Sequence, residues 1–370
     1  FSPDVFKVQI YTDDPISTIK ADPNEVPTFV STLVMVWLIM GFDLSFHKAQ
    51  LDQAVNWVGY RVTHLEEGVK AEIQPSFMQD LKDATAELLA RNFVGIKKLR
   101  SYTGRCTHVS NLLFAWRPFL DPLWAASAST SSPTRGNFIK GDSKQKRKAR
   151  KTKALRGTLW TKQVKASLLW IASFLACHQG PLSRTWTTDY FNELSAGLMF
   201  VLDASPYGLG GVLFDGDSPV AYFASKLTKD DVRIHKQAIG DCAGQQVWEC
   251  LVVLVAMRAW KHIWLPRKSA ITVRSDNYSA LAMTARMKVP SSANIIGREL
   301  ALLYSNASFE PRFVDHVPGV ANTLSDDLSR LADVNTPHAV PPSLSHLAPT
   351  PIPRRTRGWY TSLSQSRWAS

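Results

Sequence analysis

"FVLDASPYGLGGVLFDG", residues 200–216, sets one carboxylate, Asp203, at the end of an apolar run. Leu198-Met199-Phe200-Val201-Leu202 reads as a buried strand, and Gly211-Val212-Leu213-Phe214, after a glycine-rich turn, reads as a second. A charge beside a buried sheet is costly to desolvate unless something pairs with it. Three further acids stand in comparable places. Glu249 is the one acid in the apolar stretch "QQVWECLVVLVAMRAW" (245–260), Asp276 ends the strand "AITVRSD" (270–276), and Asp326 opens the helix in "NTLSDDLSR" (322–330). Acids so placed repel one another unless cations lie between them. Hard divalent cations with oxygen ligands fill such a gap, and Mg²⁺ is the expected ion where phosphates are handled, two to a site, with Mn²⁺ as the alternative.

Around this stretch, residues 198–332 read as one compact domain. Its expected order is three strands (198–204, 209–214, 219–224), a long helix (240–262), a strand (270–275), two helices (277–286, 293–306), a strand (309–316) and a last helix (322–331). That is an α/β layer architecture opened by an antiparallel hairpin. "YGLGG" is not a dinucleotide-binding loop, because it lacks the G-x-G-x-x-G spacing and feeds a strand instead of a helix.

The 370 residues suffice for two or three domains, and 45% hydrophobic content excludes wholesale disorder. The net charge of +12 is local: residues 127–157 carry +9 and residues 333–370 carry +3. Residues 127–157 are expected as a disordered basic linker suited to nucleic acid, and 333–370 as a disordered Pro/Arg tail. Residues 1–74 read as a hairpin, a buried core helix (25–40) and a second hairpin over 54–73. Residues 75–126 read as helices and 158–197 as a segment with one helix, about 162–177. The apolar stretch from Phe29 to Phe42 is too short to span a bilayer, so no membrane partner is expected. Four cysteines without paired spacing imply a reducing compartment, cytoplasmic or nuclear.

At this point the residues resemble a family. "LDASPYGLGGVL", "WECLVVLVAMRAW", "VRSDNYSAL" and "HVPGVANTLSDDLSR" resemble the four signature blocks of the ribonuclease H domain of retroelements. The last is the most specific, with His316, Pro318, Gly319, Asn322, Asp326, Leu328, Ser329 and Arg330 matching an H-x-P-G-x-x-N-x-x-[AS]-D-x-L-S-R ending. Upstream, "YTDD" (11–14) resembles the Y-x-D-D hairpin of reverse transcriptases, "GFDLSFHKAQ" (41–50) the following motif with its lysine, Lys48, and "WVGY" (57–60) the primer-grip turn. "LRSYTGRCTHVSNLLFAWRPFLDPLW" (99–124) resembles the thumb helix and its exit.

The resemblance implies an α/β and α+β multidomain chain from the C-terminal part of a retrotransposon polyprotein. A partial palm (1–74) and thumb or connection helices (75–126) precede the basic linker (127–157), a connection segment (158–197), a ribonuclease H-like mixed-sheet domain (198–332) and the tail (333–370). It implies that Asp203, Glu249, Asp276 and Asp326 are the catalytic metal ligands of a hydrolase that cuts the RNA strand of RNA–DNA hybrids. Asp13 and Asp14 would hold the metals of an RNA-directed DNA polymerase. That polymerase lacks its earlier aspartate and nucleotide pocket here, so primer extension is expected only in a longer parent chain. Partners are then RNA–DNA hybrid, DNA, RNA and the upstream polyprotein. A non-catalytic nucleic-acid-binding remnant is the alternative, disfavoured by four intact acids. A transposase or integrase would need the acid order D…D…E, and here the Glu comes second. His316 is expected to be structural, and Asp327, about 100° round the helix from Asp326, to be solvated.

Overall fold

The structure, a computed structural model, describes residues 6–11, 14–66, 68–128, 157–187, 197–267, 271–309, 311 and 313–363. Asp13 and the core of the basic stretch, 129–156, lie outside the described residues. The chain forms two compact units: Phe1–Pro75 with Thr185–Thr187, and Ser76–Arg184 with Thr188–Ser370.

In the first unit, β1 (Phe6–Tyr11) and β2 (Asp14–Ile19) form an antiparallel hairpin whose last pair is Tyr11 with Asp14. Helix α1 (Val26–Ile39) follows. None of its residues is buried: Met35, Val36, Leu38 and Ile39 are exposed. The expected buried core helix is therefore corrected. An unbroken apolar run says that a helix wants cover, and the two small sheets of this unit do not supply it. Strands β3 (Ala54–Trp57), β4 (Tyr60–Leu65) and β5 (Gly68–Ile73) form an antiparallel meander. The stretch "AVNWVGYRV" (54–62) is broken after Trp57. Val58 and Gly59 both take positive φ, +50° and +81°, giving a two-residue hairpin turn that suits glycine and strains the β-branched valine.

The second unit begins with α2 (Pro75–Ala90), which buries Met78, Leu81, Thr85 and Leu88 along one helical stripe. Strand β6 (Phe93–Gly95) pairs antiparallel with β7 (Thr158–Trp160). Helices α3 (Ile96–Leu112), α4 (Arg117–Ala128) and α5 (Lys165–Leu175) pack around Trp116, Phe119, Trp170 and Phe174. Strand β8 (Ser183–Thr187) lends Thr185–Thr187 to the first unit as the fourth strand beside β5.

A five-stranded mixed sheet follows in the order β11-β10-β9-β12-β13. Strands β9 (Leu198–Ala204), β10 (Gly208–Asp215) and β11 (Ser218–Lys226) run antiparallel. Between them and the rest of the sheet lie α6 (Lys229–His235), α7 (Gln245–Ala259) and α8 (Lys261–Arg267). Strands β12 (Ile271–Ser275) and β13 (Phe313–His316) lie parallel to β9, with α9 (Tyr278–Arg286) and α10 (Asn294–Ala307) between them and α11 (Thr323–Arg330) last. Helix α7 buries every residue from Val247 to Met257, as a helix apolar on all sides must. No described helix is long and apolar enough to cross a membrane.

The glycines of "YGLGG" serve packing. A Cβ on Gly208 would stand 2.6 Å from the Ser329 carbonyl oxygen, and one on Gly210 would run into Ser325 O and Ser329 N. Helix α11 thus lies directly on the backbone of β10. Gly210→Ala should destabilise the protein by about 1–3 kcal/mol, because a backbone rather than a flexible side chain must yield. Urea unfolding reads this, and an unchanged midpoint would mean that α11 does not approach so closely.

The segment 333–363, expected as a disordered tail, is packed on the sheet domain. Thr350 N donates to Tyr222 O at 2.7 Å, so the segment covers edge strand β11. Tyr360 is fully buried and its hydroxyl lies 2.9 Å from His235 Nε2. Arg355, 2% exposed, grips the carboxylate of Asp231 with two nitrogens at 2.8 and 2.9 Å. Proline-rich composition resembles disorder, but here prolines carry an extended strand-edge segment anchored by arginine and aromatic side chains.

Candidate active site

Asp203 sits on β9 directly opposite Gly210 of β10, so both face α11. Ser329 of α11 donates its hydroxyl to Asp203 Oδ2 at 2.7 Å. Asn322 Nδ2 donates to Leu202 O at 3.1 Å and lies 3.5 Å from Asp203 Oδ1. Ser325 Oγ donates to Val201 O at 2.8 Å, and Ser205 Oγ to Ser329 O at 2.7 Å. Asn322, Ser325 and Ser329 thereby stitch one face of the last helix to the strand that carries the acid. This is possible only because glycine occupies the facing positions.

Glu249 comes from the apolar helix α7 and is 3% exposed. Gln245, one turn earlier, donates to Glu249 Oε1 at 2.8 Å and also to Ala204 O, which ties the helix to the end of β9. Asp276 follows the last residue of β12, where parallel pairing with β9 carries it to the same sheet end. One oxygen from each of Asp203, Glu249 and Asp276 falls within 4.8 Å of the other two.

Asp326 is not one of these three. Its Oδ1 accepts from Arg330 Nε at 2.7 Å, one helical turn on. It is near enough to help raise the pKa of Asp203, so it borders the cluster. Asp327 points elsewhere, as expected, although it meets His338 Nδ1 at 3.4 Å. His316 Nε2 lies 3.1 Å from Asp276 O, and its ring stacks on Tyr278 at 4.2 Å. Asp14 begins β2; Asp13, beside it, is not described.

The electrostatics are those of an under-compensated anionic nest. Burial first, then the neighbouring Asp276 and Asp326, push the Asp203 carboxyl up to about 7 against the opposing Ser329 hydrogen bond. Burial, Asp203 and Asp276 hold Glu249 well above the usual carboxylate range. Glu249 Oε2 is buried without a hydrogen-bond partner. An orphaned carboxylate oxygen in an all-oxygen cluster fits a hard divalent cation.

Gln245 was not singled out from sequence, and Asn322 and Ser329 were named there as motif residues without a role at the acids. Their signal was present, since polar residues at 322, 325 and 329 repeat at helical spacing, and Gln245 precedes Glu249 by one turn.

No protein-family model matches the chain, and no curated protein matches it. Among solved structures it is similar to a foamy viral protease-reverse transcriptase in complex with an RNA/DNA hybrid, at 17% identity and TM-score 0.34 over 94% of this chain and 38% of that one. It is also similar to a foamy viral protease-reverse transcriptase in complex with dsDNA, at 18% identity and TM-score 0.33 over 84% of this chain and 55% of that one. The chain thus spans less than two thirds of either structure.

Proposed function

We propose that the mixed-sheet domain, residues 198–332, is a retroelement ribonuclease H, hydrolysing the RNA strand of RNA–DNA hybrids, that residues 75–126 are its thumb or connection helices, and that residues 1–74 are part of a reverse transcriptase palm. One observation carries the reading: a strand, a buried helix and a second strand end converge three carboxylates, one with an orphaned oxygen, at one end of a mixed sheet. Asp203, Glu249 and Asp276 are the residues that would hold Mg²⁺, with Asp326 at the border free to join on releasing Arg330. When bound, a pair of such ions activates water and stabilises the leaving oxygen of a phosphodiester.

The protein's own part is orientation. Ser329 and Asn322 hold the Asp203 carboxylate, and Gln245 holds one oxygen of Glu249 while leaving the other free. Hybrid recognition would run through phosphates, groove shape and the 2′-hydroxyl. Asp13 and Asp14 are proposed as polymerase metal ligands of the parent protein.

The test is cleavage of an end-labelled RNA–DNA hybrid with and without Mg²⁺. Cutting of the RNA strand in Mg²⁺, abolished by chelation, is the expected result; an intact RNA strand in both conditions would overturn the proposal. The pH dependence follows from the raised Asp203. Below about 7 its neutral form prevails without metal, so cation affinity and cleavage should climb through neutral pH. A rate flat from pH 5 to 8, a range of about three decades in proton activity, would contradict this origin.

A further inference from the structure

Away from the acids, helices α3 and α4 and the C-terminal end of α9 enclose an open cleft of about 350 Å³. Its lining includes Arg117, Arg286, Lys288, Trp124, Asn111 and Asp121. Arg117 is locked at the back: Nη1 donates to Arg286 O at 2.8 Å and Nε to Ser110 O at 3.3 Å. Arg286 and Lys288 are exposed, and Trp124 is 41% exposed. Its indole edge is fixed by donation to Thr107 Oγ1 at 3.1 Å.

Among the described residues, none of Arg117, Arg286 and Lys288 forms an ion pair with a carboxylate. Asp121, the acid in the lining, feels the charge of Arg298, and burial pushes its carboxyl up. Burial first, and then the adjacent Arg286, pull the pKa of Arg117 down. A helix C-terminus favours nearby cations, which accounts for one of the three. Arg286 and Lys288, exposed and outside any ion pair among the described residues, with Arg117 tied to carbonyls behind them and one acid, Asp121, beside it, stand around a shaped opening with an aromatic wall, an arrangement that suits an anion.

We propose that this cleft binds a backbone phosphate of the nucleic acid, with Arg286 and Lys288 as the contacting charges, Arg117 behind them, and Trp124 as a flat wall against the adjoining sugar. The inference rests on the hybrid-binding reading above and adds a second contact point to it. Helix α9 starts two residues after Asp276 and runs nine residues to Arg286, about 13 Å at 1.5 Å per residue.

The experiment measures binding of a labelled RNA–DNA hybrid by the full chain in chelator, across a salt series, for the native protein and Arg286→Gln/Lys288→Gln. The variant should bind several-fold more weakly, and its log–log salt slope should flatten by about 1 to 2. Hybrids carrying a single neutral methylphosphonate linkage, moved step by step along each strand, should at one position reproduce the loss in the native protein and add nothing there in the variant. Unchanged affinity and slope in the variant, or losses that simply multiply, overturn the cleft. Salt-matched inorganic phosphate that displaces the hybrid from the native protein but not from the variant overturns the nucleic-acid assignment in favour of a free-phosphate site. Cleavage in Mg²⁺ is read in parallel. Native protein that binds but does not cut sinks the hydrolase and leaves the cleft to be judged by slope; native protein that binds no hybrid sinks both.

Discussion

Asp203→Asn should abolish hybrid cleavage, a loss of at least about a thousandfold, while making the cation-free protein more stable at pH 8. The two effects share one cause. In the native fold Asp203 holds its proton up to about 7, against a usual value near 3.8. The folded state therefore binds the proton more tightly than the unfolded chain. The resulting stabilisation is complete below the unfolded value and is lost as pH rises through about 7. That loss amounts to at most about 4 kcal/mol at alkaline pH, from the span between the two values. Asparagine accepts the Ser329 hydrogen bond without a charge, so it escapes the loss. It also offers no anionic ligand, which is why activity goes. Glu249→Gln should behave alike in cleavage, since its orphaned oxygen is the one without a protein partner. Urea unfolding with chelator at pH 5 and pH 8, beside cleavage in Mg²⁺, separates the outcomes. Full cleavage by either variant, or an Asp203→Asn protein that is less stable than native at pH 8, would refute this origin of the cluster.

Asp203 and Glu249 were legible in the sequence because each stands in or at the end of an apolar run, where burying a carboxylate without purpose is expensive, and Asp276 and Asp326 because they end a strand and open a helix within matching blocks. Their convergence was a different matter. Nothing local says that Asp276, at the end of β12, lies beside Asp203; parallel pairing of β12 with β9 decides it. Asp326 shows the limit from the other side. Its motif is intact, yet its side chain pairs with Arg330 four residues on, an i,i+4 contact legible in the spacing, whereas its distance from the other three acids is not. Helix α6 was missed although Thr228 and Asp231 form a capping box, because seven residues carry too little periodicity to register. The apolar character of α1 was read correctly and its burial wrongly, since composition states a demand and not whether a neighbour meets it.

The packed C-terminal segment carries the second large expectation: Arg355→Ala should cost about 3–5 kcal/mol of stability, the usual penalty for leaving a buried charge without its partner. Asp231, fully buried, would be that charge. Arg355 supplies it with two hydrogen bonds and reaches Ser225 Oγ at 2.8 Å and Lys226 O at 3.0 Å with its other contacts. Asp231 also caps α6 by accepting from Thr228 N and Oγ1, both at 2.8 Å. Lysine cannot replace the fork, because a point charge cannot meet both carboxylate oxygens and the two acceptors on β11. Arg355→Lys should therefore recover little. The neighbouring Arg354→Ala should be nearly silent, since that side chain is 73% exposed and its bond to Asp230 is screened by solvent. The consequence reaches the acids through the sheet. Arg355 joins the segment to the end of β11, β11 pairs along β10, and β10 fixes the face of β9 on which Asp203 stands. Loss of the grip should thus lower cleavage together with stability, and added Mg²⁺ should recover part of both by binding the folded state alone. Equal unfolding midpoints for Arg355→Ala, Arg354→Ala and the native protein would show that the segment does not hold the sheet, and that its packing contributes nothing to the site.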